Sequence, residues 1–170
     1  MGQTIHYTRL VSPWGPLLLA GSEKGICCCE FFEGKELGDA LARLKEYHHP
    51  LQLRDDGLPL AAATAALRRY FSGELASLDH SVHLKGTPFQ LQVWARLREI
   101  SPGQVATYGE IAARLGRPKA GRAVGQACGS NPVALFVPCH RVVAGGGKLG
   151  GFASGVHVKR ALLRHEGWLR

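Results

Sequence analysis

The chain has 170 residues, 45% of them hydrophobic, enough for one ordinary domain or two small ones with a buried core. No run of 18 apolar residues occurs, so no membrane span is expected, and the N-terminus MGQTIHYTRL lacks the pattern of a signal peptide; a cytoplasmic protein, nucleoid-associated when bound to DNA, is the expectation. The net charge of +8 is lopsided: residues 1–85 carry 9 Lys and Arg against 10 Asp and Glu, residues 86–170 carry 12 against 3.

A half so basic suggests a polyanionic partner, most often nucleic acid, against the alternative of a merely soluble basic surface. The five cysteines include three in a row, Cys27, Cys28 and Cys29. That spacing suits neither a disulfide framework nor a zinc site, and reads as small hydrophobes on a strand.

In chain order, Thr4 to Val11, Leu17 to Gly21 and Ile26 to Phe32 are strand-like runs divided by turn residues, the pattern of an antiparallel sheet. Glu36 to Tyr47 has leucines at helical spacing, Leu58 to Phe71 is an Ala/Leu-rich helix, and Leu78 to Leu84 is one more strand candidate. Nothing in this half carries chemistry, and its expected role is scaffold. Thr87-Pro88-Phe89-Gln90 is a capping box opening a helix to about Ile100. Thr107-Tyr108-Gly109-Glu110 is a second, opening a short helix to Leu115. Arg117-Pro118 opens a third, to about Cys128. The last two have the form of a helix-turn-helix. The third helix has almost no bulk, with Ala120, Gly121, Ala123, Gly125 and Ala127, although each glycine costs a helix roughly 1 kcal/mol relative to alanine. Small residues permit a close approach, either to another helix or to a nucleic-acid groove. The basic charge favours the groove.

The stretch NPVALFVPCHRVVAGGG, Asn131 to Gly147, is expected to form a turn, a short apolar strand from Val133 to Val137, and a second apolar run from Val142 that makes a hairpin with Leu149 to Phe152. A final helix is expected from Val156 to Glu166. Between the runs stand Cys139, His140 and Arg141. A thiolate is a nucleophile, and a free thiol near pKa ~8.5 needs help at neutral pH. Neighbours on a strand point to opposite faces, so His140 would reach Cys139 through a water or a turn. A basic histidine wants an orienting acid. Only Glu99, Glu110 and Glu166 are acidic in this half, and Glu166 is the choice because the other two lie in solvated helices. These residues alone leave a thiol hydrolase, a redox switch and an alkyl acceptor open; the redox switch lacks a nearby resolving cysteine, Cys128 being the only other one in this half, and a papain-like hydrolase would draw its Cys and His from separate elements.

The segment PCHRV, Pro138 to Val142, resembles the active-site signature of the O6-alkylguanine-DNA alkyltransferases, the methylated-DNA–protein-cysteine methyltransferases. GTPFQLQVW (86–94), TYGEIA (107–112), GRAVGQACGSNP (121–132) and LLRHEG (162–167) resemble further family segments in the same order, covering the last 85 residues; LRRYFSGE (67–74) extends the likeness more loosely. The resemblance implies an α+β fold: a ribonuclease-H-like antiparallel sheet with helices over residues 1–84 and a winged-helix-like DNA-binding domain carrying the active-site cysteine over 85–170. It implies single-turnover transfer of a methyl or larger alkyl group from O6-alkylguanine in DNA to Cys139 after base flipping, without a cofactor. O4-alkylthymine is left open as a second substrate.

By the same resemblance, His140 acts on the thiol through water, Glu166 holds His140, and Asn131 shapes the turn before Cys139. Tyr108 crowds the rotating phosphate and borders the pocket, and Arg122 fills the gap left by the flipped base. Ala120, Gly121, Ala123, Gly125 and Gly129 face the minor groove of double-stranded DNA. Val142, Phe152, Ala153 and Ser154 line the base pocket. The protein is expected to act as a monomer, with cooperative loading on DNA left open. Phe152 stands where many members carry Tyr, and Ala153-Ser154 departs from the usual pattern there. Gln3 and Ser22 occupy two positions where some members hold a structural zinc, so no metal is expected. The alternative is a non-catalytic lesion-binding protein of the alkyltransferase-like kind; those lack the acceptor cysteine that this chain has.

Overall fold

The computed structural model describes residues 2–49, 51–74 and 76–170, with the side chain of Leu51 left aside. The chain divides into two compact units, Met1–Lys85 and Gly86–Arg170.

In the first unit β1 (Gln3–Ser12), β2 (Gly15–Ser22) and β3 (Gly25–Phe31) pair antiparallel, with Leu10 opposite Leu17 and Leu19 opposite Cys29. Side chains alternate across a strand, so Ile5, Leu18, Ala20 and Cys28 pack on one face against Ala40 and Leu44 of helix α1 (Leu37–Tyr47). Leu17, Leu19 and Cys29, pointing the other way, are buried too. The cysteine triplet is therefore core, with Cys27 at the bulge where the β2–β3 register shifts. Helix α2 (Ala61–Phe71) buries Ala63, Ala66, Leu67 and Tyr70, and Trp14 of the first hairpin lies edge-on to Tyr70 and Phe71 at 6.2 and 5.7 Å.

Two features of this unit differ from the sequence expectation. Strand β4 (Leu51–Asp55) pairs parallel with the free edge of β1, giving the order β3-β2-β1-β4. Its polar residues Gln52, Arg54 and Asp55 gave no strand signal, since an edge strand tolerates charge. Leu78 to Leu84 forms no regular strand; only Val82 bridges to Ile26, flanked by Ile26 N–H to Ser81 O at 2.9 Å and His83 N–H to Ile26 O at 2.7 Å. Gln3 donates to Ser22 Oγ at 2.8 Å, so the two residues in question for zinc bond each other.

The second unit begins at Gly86, where a Cβ would lie 2.7 Å from the Trp94 ring; only glycine lets the backbone pass so close. Helix α3 (Pro88–Leu97) starts on the expected capping box and buries Val93, Trp94 and Leu97. After β5 (Ala106–Thr107), helix α4 (Tyr108–Arg114) starts on the second box, with Glu110 N–H to Thr107 Oγ1 at 3.1 Å and Thr107 N–H to Glu110 Oε2 at 2.7 Å. Helix α5 spans Gly121–Gly129 and begins later than expected, because Arg117 to Ala120 are taken up in a turn closed by Ala120 N–H to Arg117 O at 2.9 Å. Trp94 ties α3 to α5 through Nε1–H to Ala127 O at 2.8 Å.

The stretch from Val133 to Val137 is a buried turn, not the strand expected. Its hydrogen bonds are local: Val137 N–H to Val133 O and Phe136 N–H to Ala134 O, each 2.9 Å. Leu135 sits at φ 71°, which no strand accommodates. Strand β6 (Val142–Val143) pairs parallel with β5 instead of forming a hairpin with Leu149 to Phe152. A lysine displaces that hairpin: Lys159 of helix α6 (Val156–His165) donates to Val142 O at 2.6 Å and Gly151 O at 3.1 Å.

Candidate active site

Cys139, His140 and Arg141 form one buried 3₁₀ turn after Pro138. The turn replaces the strand geometry that would have thrown Cys139 and His140 to opposite faces. Asn131 fixes it from outside: its Nδ2 donates to Val137 O at 2.8 Å and its Oδ1 accepts from Val133 N–H at 3.0 Å, so one side chain spans the loop before the cysteine.

Glu166, at the C-terminal cap of α6, meets this turn from the end of the chain. Its Oε1 lies 2.8 Å from His140 Nε2 and accepts from Arg141 Nη2 at 2.7 Å, while Oε2 accepts from Arg141 Nε at 2.9 Å. Arg141 also donates through Nη1 to Ile100 O at 2.7 Å. Burial by itself would raise the Glu166 carboxyl, but the hydrogen bonds and charges of Arg141 and His140 outweigh it and hold it at about 2. An ionised carboxylate only accepts, so the His140 proton is on Nε2 and the lone pair on Nδ1. Nδ1 is buried and bonds no described residue. Burial lowers the His140 pKa, opposed by Glu166, which keeps the ring neutral and able to take a proton. The other two acids of this half are engaged elsewhere, Glu99 with Arg96 at 2.9 Å and Glu110 in its capping box.

A cavity of about 300 Å³ opens on Cys139, lined also by Tyr108, Gly125, Cys128, Gly129, Gly151, Phe152 and Ala153. Burial raises the thiol pKa, while the Asn131 side chain, the Lys159 charge and the backbone N–H groups of Cys139 and His140 favour the thiolate. Lys159 is fully buried, its own pKa lowered by that burial, and its Nζ lies 5.8 Å from the centre of the Tyr108 ring. Gly150, at φ 75°, passes so near Tyr108 that a Cβ would fall 2.7 Å from the hydroxyl. The Phe152 ring brings no hydroxyl to this wall.

Cys139, Tyr108, Phe152 and Ala153, all expected at the pocket, lie on one wall system; Val142 is completely buried and Ser154 is not on the lining. Gly125 and Gly129, expected to face DNA, border the cavity. Gly121 and Gly125 also lie against the start of α4, with would-be Cβ atoms 3.9 Å from Gly109 N and 3.7 Å from the Tyr108 ring. The two readings of the small-residue helix thus share residues. Arg122 is exposed, and Ala120 is the N-cap of α5 with Ala123 in its first turn. Sequence reasoning missed Lys159, Gly151 and the Arg141–Glu166 fork, and it set Cys128 aside as not near Cys139, whereas the two line one cavity. Lys159 did leave a signal: it falls in the apolar stripe of α6 four residues before Leu163 and seven before Glu166, where a cation needs a reason.

A buried cysteine beside a carboxylate-oriented imidazole, on a unit built around two short helices and carrying 12 Lys and Arg against 3 Asp and Glu, defines a nucleophilic-cysteine protein of the nucleic-acid-binding kind. Residues 5–84 match the ribonuclease-like domain of 6-O-methylguanine DNA methyltransferase, and residues 88–168 match its DNA binding domain. The chain belongs to the 6-O-methylguanine DNA methyltransferase family. It is 43% identical to the methylated-DNA–protein-cysteine methyltransferase of Methanosarcina acetivorans, over 96% of this chain and 99% of that one. The Mycobacterium tuberculosis protein of the same name is 42% identical over 95% and 92%. The crystal structure of the M. tuberculosis O6-methylguanine methyltransferase superposes with a TM-score of 0.81 at 40% identity, covering 95% of this chain and 92% of that one. A structure of M. tuberculosis OGT in complex with DNA gives 0.81 at 41% identity, with the same coverage.

Proposed function

We propose that the protein repairs alkylated DNA by direct reversal, moving the alkyl group of O6-alkylguanine onto Cys139 in one irreversible turnover. The observation that carries this is the buried Cys139, His140 and Glu166 array beside a cavity of about 300 Å³ that opens on the thiol. The Cys139 proton passes through water to Nδ1 of His140, whose Nε2–H is held by Glu166. The Cys139 Sγ then attacks the alkyl carbon in line with the departing O6. An S–C bond forms, the C–O bond breaks, and the guanine leaves with its carbonyl restored, taking up the proton at N1. Arg141 neutralises Glu166 so that the carboxylate orients the imidazole without taking its proton. Lys159 stabilises the thiolate. No cofactor enters this sequence.

A base stacked in a duplex cannot meet a buried thiol, so the nucleotide swings out, at a cost of a few kcal/mol. The exposed Arg122 side chain fills the vacated stack and Tyr108 crowds the turning phosphate. The small residues Ala120, Gly121, Ala123, Gly125 and Gly129 keep α5 slender enough to seat in the minor groove, where larger side chains would not fit. Phe152 and Ala153 bound the base on the cavity wall, while Ser154 and the buried Val142 lie off that lining. On this reading residues 85–170 hold the whole chemistry and residues 1–84 serve as scaffold. The protein works as a monomer in the cytoplasm, on nucleoid DNA.

The test is to incubate the protein with an oligonucleotide holding one O6-methylguanine and map the added mass. Methyl is expected on Cys139 alone, in at most one equivalent. Cys139→Ala is expected to lose transfer and keep DNA binding. An unmodified Cys139 after excess damaged DNA would remove the reading and leave a basic DNA binder.

A further inference from the structure

Cys128 has no part in the transfer, yet it lines the same cavity as Cys139. Both thiols are free: Cys128 is half-buried on the last turn of α5, and Cys139 is buried on its 3₁₀ turn. The other three cysteines are shut in β3. Burial, and after it the charge of Cys139, pushes the Cys128 thiol up to about 12, and the Lys159 ammonium acts on both sulfurs in the opposite sense. Both residues share the wall of that one cavity with Tyr108, Gly151 and Phe152, so the two thiols border the same space. A disulfide needs the two Cα atoms within ~7 Å of each other. Gly129, which follows Cys128 at the helix end, has nothing within 4 Å of where a Cβ would stand, so packing there does not oppose an adjustment of the last turn.

We propose that Cys128 is the resolving partner of Cys139: hydrogen peroxide entering the cavity oxidises Cys139, and Cys128 closes a reversible disulfide onto it. In the first step the Cys139 thiolate attacks one peroxide oxygen and the O–O bond breaks. This gives a sulfenic acid and a hydroxide, which becomes water with the thiol proton. In the second step the Cys128 sulfur attacks the sulfenic sulfur. The S–S bond forms, the S–O bond breaks, and a second water leaves with the Cys128 proton. The two thiols lose two electrons and the peroxide gains them; an exogenous thiol reverses the step. An acceptor used only once is wasted if oxidation carries it to the sulfinic acid, and the disulfide stops the ladder at a recoverable rung. That consequence rests on the acceptor role proposed for Cys139; the sulfur chemistry does not.

Both cysteines fall in one tryptic peptide, residues 123–141. The full-length reduced protein is treated with hydrogen peroxide, blocked with iodoacetamide and digested without reductant. The peptide is expected two hydrogens lighter and unblocked at both sulfurs, reverting with dithiothreitol. In Cys128→Ser and Cys128→Ala the same dose is expected to leave Cys139 with two added oxygens. Transfer activity then fails to return with dithiothreitol, measured against each variant's own untreated activity, whereas the parent protein recovers most of its own. A parent peptide that gains oxygen without losing hydrogen, a peptide left unchanged, or variants that recover as well as the parent would each overturn the pairing. The mapping uses no DNA, so it fails or succeeds apart from the repair assay.

Discussion

At the level of single residues, the site is governed by how few charges are buried and how completely they answer one another. Glu166 accepts from His140 and twice from Arg141, and Arg141 donates once more, through Nη1, to Ile100 O. Removing one partner of such a set leaves another charge unanswered in the interior, at about 3–5 kcal/mol. Glu166→Gln is therefore expected to lower stability by about that amount, read by urea unfolding. It should also slow transfer on the order of 10²-fold, since the His140 tautomer is no longer fixed. Lys159→Met tests the other buried charge. Its ammonium favours the Cys139 thiolate, so its loss raises the thiol pKa, and the pH midpoint of Cys139 alkylation by iodoacetamide is expected to move upward. A midpoint that stays put would show Lys159 to be only a tie between Val142 O and Gly151 O.

At the level of elements, the loop from Asn131 to Pro138 does what a regular strand could not. It turns sharply, accepts Leu135 at φ 71°, and delivers Cys139 at the head of a 3₁₀ turn. The Asn131 side chain supplies two of the bonds that hold the loop. Asn131→Ala leaves a loop carbonyl and N–H short of partners, each worth about 1–3 kcal/mol when buried. Both lower stability and slower transfer are expected. Gly86→Ala acts at the other end of the unit, where the new methyl meets the Trp94 ring. It should destabilise the start of α3 and shift the Trp fluorescence, with the charge of the unit unchanged.

For the whole molecule the consequence is acid sensitivity in two windows. Glu166 titrates at about 2 in the fold against 4.5 in the unfolded chain, so its stabilisation is complete above 4.5 and is lost as pH falls toward 2. At 1.36 kcal/mol per unit that is about 3 kcal/mol. His48 is buried with neither ring nitrogen bonded to a described residue, and burial, Lys85 and His83 lower it to about 4. Below 6.5 the unfolded chain takes up a proton that the fold refuses, so the first unit weakens from 6.5 down to 4, by a similar amount. His140, also held neutral by burial, adds a loss in the second unit that begins in the same range. His48→Phe is expected to flatten the urea midpoint of the first unit between pH 6.5 and 4 and leave the drop between 4.5 and 2 in place.

Much of this was legible in the amino-acid order. The two capping boxes, the strand-like runs between turn residues and the apolar stripes of α1, α2 and α3 are local patterns, read by local geometry: a hydroxyl reaches an N–H three residues on whatever surrounds it. Cys139, His140 and Glu166 were legible because a thiol, an imidazole and a scarce acid stood where inert residues normally do. The parallel pairing of β4 with β1, the loop that replaces the expected strand from Val133, and the lysine that cancels the hairpin were decided only in three dimensions. The first and the last depend on a partner far along the chain, Gln3 to Tyr7 for β4 and Lys159 for Val142, and such a partner exerts no force until the chain has brought it within bonding distance; the loop is held by its own short-range hydrogen bonds and by Asn131. The meeting of Cys128 with Cys139 in one cavity belongs to the same kind. Eleven residues of sequence separate them, and only the folded loop turns both sulfurs toward the same space.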